Sequence, residues 1–326
     1  MDPLSQATVA AIAAQSAAKP KQQKLAALAG AFGGLAPDLD VLIQSGSDPL
    51  LGLMLHRHFT HSLIFIPAGG LIVAFAIWGL ARLFKKPVAF KTMAIFATLG
   101  FATHGALDAA TSYGTVLAWP FTDTRFAWDL IAIIDLAFTM PLLALVVLAV
   151  VYKSRRFAVA GAVFALFYFT VLAGNQYAAK QVYLAKTPHQ AAATARVMPA
   201  LFRPFEYRGV YRQEGRIFIS TLRAPLFGNI SVNHKGSVRQ VTLKDVQQTM
   251  GITPELAESF EKYLWFADGF VGEYPNNPLT FADYRYGNFG TPLSPLWGVR
   301  LDEDAQKAYP VSLRKKVLTQ KPEESL

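Results

Sequence analysis

Long apolar stretches fill the first half of the chain and limit what it can fold into. Residues 63–84, 92–112, 129–152 and 157–177 are each long enough to cross a bilayer core, which takes about 20 apolar residues. Of the 326 residues, 52% are hydrophobic and only 16% are charged, a balance more apolar than a soluble domain needs. These stretches predict transmembrane helices.

Two further N-terminal segments are less apolar. Residues 24–43 contain the small-residue sequence GAFGG, which suits close helix packing, and their apolar part ends at Pro37. The pattern leaves open whether this segment crosses the bilayer. Residues 3–18 are amphipathic and too polar to cross, so we expect a helix that lies on the membrane or caps the bundle.

The composition changes after residue 178. Alternating apolar residues over 204–244 predict antiparallel strands, and so do the segments LTFADYRYG and LWGVRLD. The segment ITPELAESFEKYLWFADG has helical spacing, with Thr253 as N-cap and Pro254 at the first helical position. The chain is therefore predicted to be mainly α: a polytopic transmembrane helix bundle over residues 1–178, followed by a small α+β extramembrane domain over residues 179–326.

Basic residues cluster in two connections between the predicted spans. The clusters are Arg82, Lys85, Lys86 and Lys91, and Lys153, Arg155 and Arg156. Cytoplasmic loops of membrane proteins carry such an excess of Lys and Arg. The expected location is a bacterial cytoplasmic (inner) membrane, crossed several times, with the C-terminal domain on the outer, periplasmic side.

The charge distribution and the absence of cysteine limit which partners and metal ligands the protein can have. The net charge is +9, but much of the basic charge lies beside apolar segments, so we expect membrane lipids rather than nucleic acid as partners. The chain has no cysteine, which excludes disulfides, thiolate metal ligands and cysteine nucleophiles.

Histidine and aspartate motifs gather near the predicted outer ends of the spans. They are PDLD at 37–40, HRHFTHS at 56–62, and His104 with Asp108. Because His104 and Asp108 are four residues apart, they share one face of a helix. Inserting an ionisable side chain at the middle of a bilayer costs on the order of 3 kcal/mol of free energy, so such residues usually face the interior of a helix bundle. Each motif also has a structural interpretation: a helix cap or solvated helix end for PDLD, solvated interfacial histidines for HRHFTHS, and a buried ion pair for His104 and Asp108.

Together these motifs supply three imidazoles and three carboxylates. The predicted metal ligands are Asp38, Asp40, His56, His61, His104 and Asp108. Nitrogen and oxygen ligands without sulfur suit one or two divalent ions, with zinc favoured over manganese or iron. Such an ion activates water, which makes hydrolysis the natural chemistry.

Neighbouring polar residues are given supporting roles. The expected catalytic residues are Arg57, Asp40 and His104. The planar guanidinium of Arg57 suits a phosphate, although Arg57 could equally be a snorkelling interfacial arginine. Thr60 or Ser62 is expected to cap the following helix, and Asp135 to pair with a bundle partner. Residues predicted to orient ligands or to bind the metal themselves are His58, Thr60, Ser62, Thr111 and Asp129.

The order of PDLD, HRHFTHS, His104, Asp108 and Thr111 resembles the YdjM-like family of membrane-bound metal-dependent hydrolases. The resemblance covers about residues 1–175 and implies hydrolysis without fixing a substrate. Two positions depart from the family pattern. His58 stands where the family usually has glycine, and Gln6 stands where members often carry a histidine.

We therefore expect a membrane-embedded metal-dependent hydrolase. A phosphoester is the favoured substrate, in a lipid or lipid-linked molecule, because a site at headgroup depth reaches such molecules without extracting them. The alternative is a non-enzymatic membrane protein with a structural metal site or an ion or proton pathway. A transporter places charges near the bilayer midplane, whereas here they gather toward one end. His189 and His234 are expected to be surface residues.

Overall fold

The computed structural model describes residues 1–85, 88–275, 277–287, 290–302, 304 and 306–313. Lys86 of the first basic cluster and residues 314–326 of the predicted C-terminal domain lie outside the described residues. The chain forms two compact units. The first consists of Met1–Ile43, Leu55–Tyr177 and Met198–Phe205, and the second of Gln44–Met54, Ala178–Val197 and Glu206–Leu326.

Helices dominate the first unit and also occur in the second. The α-helices in chain order are α1 (Pro3–Ala17), α2 (Gln23–Leu35), α3 (Leu51–Leu55), α4 (Ile66–Leu83), α5 (Phe90–Ala109), α6 (Leu136–Val151), α7 (Arg155–Ala185), α8 (Leu243–Met250) and α9 (Pro254–Phe266). Short 3₁₀ helices precede or follow several of them, at Pro20–Gln22, Ala36–Leu42, Phe59–His61, Leu63–Phe65 and His189–Thr194.

The C-terminal half contains two four-stranded sheets. Their strands are β1 (Arg196–Ala200), β2 (Arg203–Gln213), β3 (Arg216–Arg223), β4 (Ser231–Arg239), β5 (Val271–Tyr274), β6 (Asn277–Asp283), β7 (Trp297–Asp302) and β8 (Lys307–Ser312). The strand orders are β1-β2-β3-β4 and β5-β6-β7-β8, with antiparallel registers from β2 to β4 and from β5 to β8. The predicted mixture of helix and antiparallel strand is confirmed.

Three helical segments of the described residues are long and apolar enough to cross a membrane. They are Pro20–Leu42, Leu63–Leu83 and Arg155–Ala185. Large apolar side chains project outward from the last two: Phe75 is 65% exposed and Leu166 is 71% exposed. A water-soluble helix would cover such residues, whereas lipid tails solvate them. Pro20–Leu42 overlaps residues 24–43, the segment whose crossing the sequence left open, so this segment is a candidate span.

The predicted spans at 92–112 and 129–152 are not among these three segments. Helix α5 covers most of the first, but Phe96, Phe101 and His104 are buried inside the helical unit. The prediction of a helix from residue 129 is wrong, because α6 begins at Leu136 and has only 16 residues. Asp135 caps α6 by accepting from the Phe138 amide and also accepts from the Tyr168 hydroxyl, so it has the bundle partner predicted for it.

Helix α1 packs inside the first unit instead of lying on a membrane surface. Its Ala10, Ala14 and Gln6 side chains are fully buried, and the helix contacts α2, α5 and α6. Of the two expectations for this helix, the one that it lies on the membrane surface is wrong for a physical reason. Small alanine side chains let neighbouring helices approach closely, so the helix associates through packing although it has little hydrophobicity.

Glycines on α2 and α5 determine how closely these two helices approach. A Cβ atom on Gly33 would lie 2.1 Å from the carbonyl oxygen of Ala97, and one on Gly100 would lie 2.1 Å from that of Gly30. Neither position tolerates a side chain without moving a backbone. The predicted packing role of GAFGG is confirmed, and the close approach brings the C-terminal ends of α2 and α5 together.

The second unit has its own cores and polar network. Phe260 and Tyr263 of α9 pack against Phe281 and Val299 of the second sheet. Thr253 accepts from the Leu256 amide and Pro254 opens α9, so the predicted cap is confirmed. The buried guanidinium of Arg285 binds the Asp283 carboxylate at 2.8 Å.

Candidate metal centre

Asp38 and Asp40 lie in the 3₁₀ helix Ala36–Leu42, which continues directly from α2. Pro37 is its second residue, and the backbone here winds more tightly than in the α-helix before it. Residues two apart on such a helix point to different sides. The two carboxylates accordingly have different neighbours, and Asp40 is the more deeply buried.

The HRHFTHS segment is irregular before α4 begins. Arg57 adopts a left-handed backbone conformation with a φ of 65°, and His61 ends a short 3₁₀ helix. Ser62 stands at the N-cap position of the 3₁₀ helix Leu63–Phe65, but neither its side chain nor that of Thr60 makes a cap hydrogen bond, so the predicted capping contact is wrong. The Thr60 hydroxyl donates to Asp40 Oδ2 at 3.1 Å instead, and the Ser62 hydroxyl donates to the Phe59 carbonyl at 2.7 Å.

Four side chains from three chain segments converge at one point. They are Asp38, His61, His104 and Asp108, whose ligand atoms all lie within 4.8 Å of one another. His104 and Asp108 come from the last two turns of α5, one helical turn apart, as the sequence predicted. All are buried except Asp38, whose side chain is 26% exposed.

The four distances between imidazole nitrogens and carboxylate oxygens in this group match those of a tetrahedral metal site. His61 Nε2 lies 3.5 Å from Asp38 Oδ1 and 3.4 Å from Asp108 Oδ2. His104 Nε2 lies 3.4 Å and 3.5 Å from the same two atoms. With ligand bonds of about 2.0–2.2 Å, neighbouring ligand atoms of a tetrahedral zinc ion lie about 3.3–3.6 Å apart.

Both imidazoles are oriented through their Nδ1 atoms. His104 Nδ1 donates to the Gly34 carbonyl oxygen at 2.5 Å. His61 Nδ1 lies 3.0 Å from Thr60 Oγ1 and 3.4 Å from Asp40 Oδ2. Because the Thr60 hydroxyl hydrogen is used toward Asp40, Nδ1 of His61 is the donor of that pair. Metal-binding histidines characteristically have such carbonyl and carboxylate partners, which fix the tautomer.

With Nδ1 of each imidazole used in an outer hydrogen bond, Nε2 is the ring nitrogen that faces the group. The two Nε2 atoms are only 2.9 Å apart and lie beside two carboxylate oxygens. A divalent cation would be bound by all four ligand atoms at once. The residues present therefore fit a metal ion.

Several groups other than the histidines contact Asp108. Arg57 Nε lies 3.0 Å from Oδ2, and Gln6 Nε2 donates to Oδ1 at 2.8 Å. The terminal amino group of Met1 also contacts Oδ1. Arg57 Nη1 donates to Thr111 Oγ1 at 3.0 Å. The Thr111 hydroxyl in turn donates to the backbone carbonyl of Asp108. These contacts fix the carboxylate in one orientation.

A second group adjoins the first and shares Asp38 with it. Asp38, Asp40 and His56 place one ligand atom each within 4.8 Å of one another. The His56 side chain is 24% exposed, which makes this group more open than the first. All six residues predicted as ligands thus belong to one or the other group.

Of the residues predicted to orient ligands or to bind the metal themselves, the two ionisable ones, His58 and Asp129, lie outside both groups. His58 Nε2 is 3.6 Å from the exposed Asp123 carboxylate, and burial lowers the pKa of His58. Asp129 is buried in the connection between α5 and α6, with a φ of 55°. Neither residue belongs to a ligand group of the described residues. The His58 ring contacts Trp119 and Asp123 instead.

Sequence reasoning missed four contributors to the site. These are the Met1 amino group, the Gly34 carbonyl, the Gln6 amide and the Tyr113 ring, whose centroid lies 4.7 Å from the Arg57 guanidinium carbon. The departure of Gln6 from the family pattern was the single signal for any of them. A backbone carbonyl and an aromatic face carry no sequence motif.

Comparison with known proteins gives one family. The family model described as YdjM inner membrane protein matches residues 1–180, which include every residue of both ligand groups. None of the curated proteins and none of the solved structures compared matches the chain. The family match covers more than half of the 326 residues, and the chain belongs to the YdjM inner membrane protein family.

Proposed function

We propose that this protein is a metal-dependent hydrolase that acts on a phosphoester, in a lipid or lipid-linked substrate. The observation that carries the proposal is the convergence of His61, His104, Asp38 and Asp108 on a point that fits a divalent cation. A bound zinc ion would lower the pKa of a water molecule to about 7 and polarise a phosphoryl oxygen.

The surrounding residues support a role in binding an anionic substrate. Arg57 is buried, and Asp108 and Thr111 fix its Nε and Nη1 atoms. Its positive charge lies beside the ligand group, where it favours an anion near the metal. Asp40 and Thr60 keep His61 Nε2 directed into the group, so the ligand geometry is preformed.

The position of the group along the helices supports a lipid-derived substrate. Asp38 lies near the end of the candidate span Pro20–Leu42, and His61 lies just before Leu63–Leu83. Ligands at the ends of spans are at headgroup depth, where phosphoesters of lipids are found. We propose that the protein crosses the inner membrane several times, with this end and the C-terminal domain on the periplasmic side, as the basic clusters predict.

A structural metal site is the second candidate. Catalytic zinc sites usually have three protein ligands and one open position, whereas structural sites are closed by four. Asp38, His61, His104 and Asp108 would supply four ligands to one ion. That observation favours an ion that stabilises the helical unit without taking part in a reaction.

Metal content and turnover measured on the same preparations separate the two candidates. We expect the purified full-length protein to contain zinc and to cleave a phosphodiester substrate or a member of a phospholipid panel. His104→Ala should lose both, because it removes a buried ligand. His189→Ala, an exposed position outside both groups, is the matched control and should retain both. Retained metal with no turnover across the panel would overturn the enzyme proposal and favour the structural site.

A further inference from the structure

The second ligand group differs from the first in its number of ligands and in its access to solvent. The first has four protein ligands, while the second has Asp38, Asp40 and His56. The side chains of Asp38 and His56 are 26% and 24% exposed, whereas those of His61, His104 and Asp108 are fully buried. The second group thus faces solvent at the edge of the buried one.

Asp40 is anchored in a way that leaves one oxygen directed toward His56. Its Oδ2 accepts from the Arg57 amide at 3.0 Å and from the Thr60 hydroxyl at 3.1 Å. Its Oδ1 faces His56 Nδ1 at 2.8 Å. The carboxylate can therefore give up the His56 contact and coordinate an ion through Oδ1 while Oδ2 keeps its orientation.

Asp38 links the two groups through a single carboxylate. Its Oδ1 faces the two Nε2 atoms of the first group, and the same side chain belongs to the second group. A carboxylate with two oxygens is the ordinary bridge between two ions, which in hydrolytic two-metal sites lie about 3.5–4 Å apart.

We propose that the site binds two divalent cations that share Asp38 and differ in function. The buried position, with four protein ligands, holds its ion tightly and fixes the ends of α2 and α5. The outer position, with Asp38, Asp40 and His56, has three protein ligands and keeps coordination positions open for water or a substrate oxygen. This division deepens the proposed hydrolase, on which it rests, because it assigns the open position that the four-ligand group lacks.

Metal stoichiometry tests this directly without an assay of turnover. The full-length protein in detergent is stripped with a chelator and titrated with Zn²⁺ by calorimetry, with metal content checked by elemental analysis. We expect two ions per chain, a tight one and a weaker one. His56→Gln should bind one ion at wild-type tight affinity, whereas His104→Ala should lose the tight one.

Two further measurements keep the test conclusive. His189→Ala should bind two ions, and thermal unfolding of each variant in detergent will show whether it is folded. If His56→Gln does not fold, electron paramagnetic resonance of the Mn²⁺-loaded wild type replaces it, since two ions sharing a carboxylate give an exchange-coupled spectrum. One ion per wild-type chain, two ions in folded His56→Gln, or an uncoupled Mn²⁺ spectrum would overturn the proposal.

The result is separable from that of the proposed function. A protein that hydrolyses a phosphoester with one ion per chain would refute the shared site and leave the hydrolase standing. A protein that binds two ions through Asp38 but turns over no substrate would refute the hydrolase and leave the paired site standing.

Discussion

At the scale of single residues, the site depends as much on the groups that orient the histidines as on the ligands themselves. Thr60 occupies a central position, since it lies 3.0 Å from His61 Nδ1 and donates to Asp40 Oδ2 at 3.1 Å. Its hydroxyl therefore fixes the tautomer of a predicted ligand. The sequence suggested Thr60 either as a helix cap or as a residue that orients a ligand, and the structure shows the second of these contacts.

Replacing Thr60 by valine removes this hydroxyl and preserves the shape of the side chain. We expect Thr60→Val to bind Zn²⁺ about 10- to 100-fold more weakly, because loss of an orienting partner typically costs that much affinity. Thr103→Val is the control, since the Thr103 hydroxyl donates only to the Gly100 carbonyl along its own helix. Calorimetric titration of both variants checks this. Equal affinity for the two would show that Thr60 does not orient His61.

At the scale of secondary-structure elements, helix packing positions the ligands. Gly34 lies on α2 next to the 3₁₀ helix with Asp38, and its carbonyl accepts from His104 on α5. The hydrogen bond forms because Gly30, Gly33 and Gly100 let these two helices approach backbone to backbone. The geometry of the ligand group thus depends on the close packing of α2 and α5.

Replacing Gly100 by alanine tests whether stability depends on the close contact between α2 and α5. Gly100→Ala should lower stability by about 1–3 kcal/mol through overpacking, because its Cβ meets the Gly30 backbone. Gly79→Ala on α4 is the control, since its Cβ meets nothing within 4 Å. Thermal unfolding in detergent measures both. A Gly100→Ala protein that unfolds and binds metal like the wild type would contradict this account.

At the scale of the whole molecule, the membrane orientation decides which compartment reaches the site. The three candidate membrane helices fit the inner-membrane location of the family. The basic clusters at Arg82 and Lys85 and at Lys153 to Arg156 predict cytoplasmic connections. The outer ends of the spans, where the ligands lie, would then face the periplasm.

Reporter fusions test this orientation. An enzyme that is active only outside the cytoplasm should be active when fused after residue 326, because positive charge keeps the basic connections inside. The same reporter inserted after Ser154 should be inactive. Activity at Ser154 without activity at residue 326 would reverse the proposed orientation and place the metal group on the cytoplasmic side.

Several elements were readable from the sequence because they depend on local patterns. Helical spacing placed His104 and Asp108 on one face of α5, and the Thr253–Pro254 pair correctly marked the start of α9. Alternation predicted the antiparallel strands. Local patterns failed where packing decided the outcome: α1 is buried by its alanines, and α6 starts at Leu136 because Asp135 caps it.

The sequence by itself determined the chemical types available: apolar helices, a family membership, and imidazole and carboxylate ligands without thiols. Only the tertiary structure decided which of these meet, because His61 and the Gly34 carbonyl, 43 and 70 residues from His104, reach it through helix packing rather than through local geometry. Tertiary structure also separated Asp38, whose Oδ1 faces both Nε2 atoms, from Asp40, which contacts Nδ1 of His61. No spacing rule encodes that difference, since it depends on which oxygens the surrounding donors occupy.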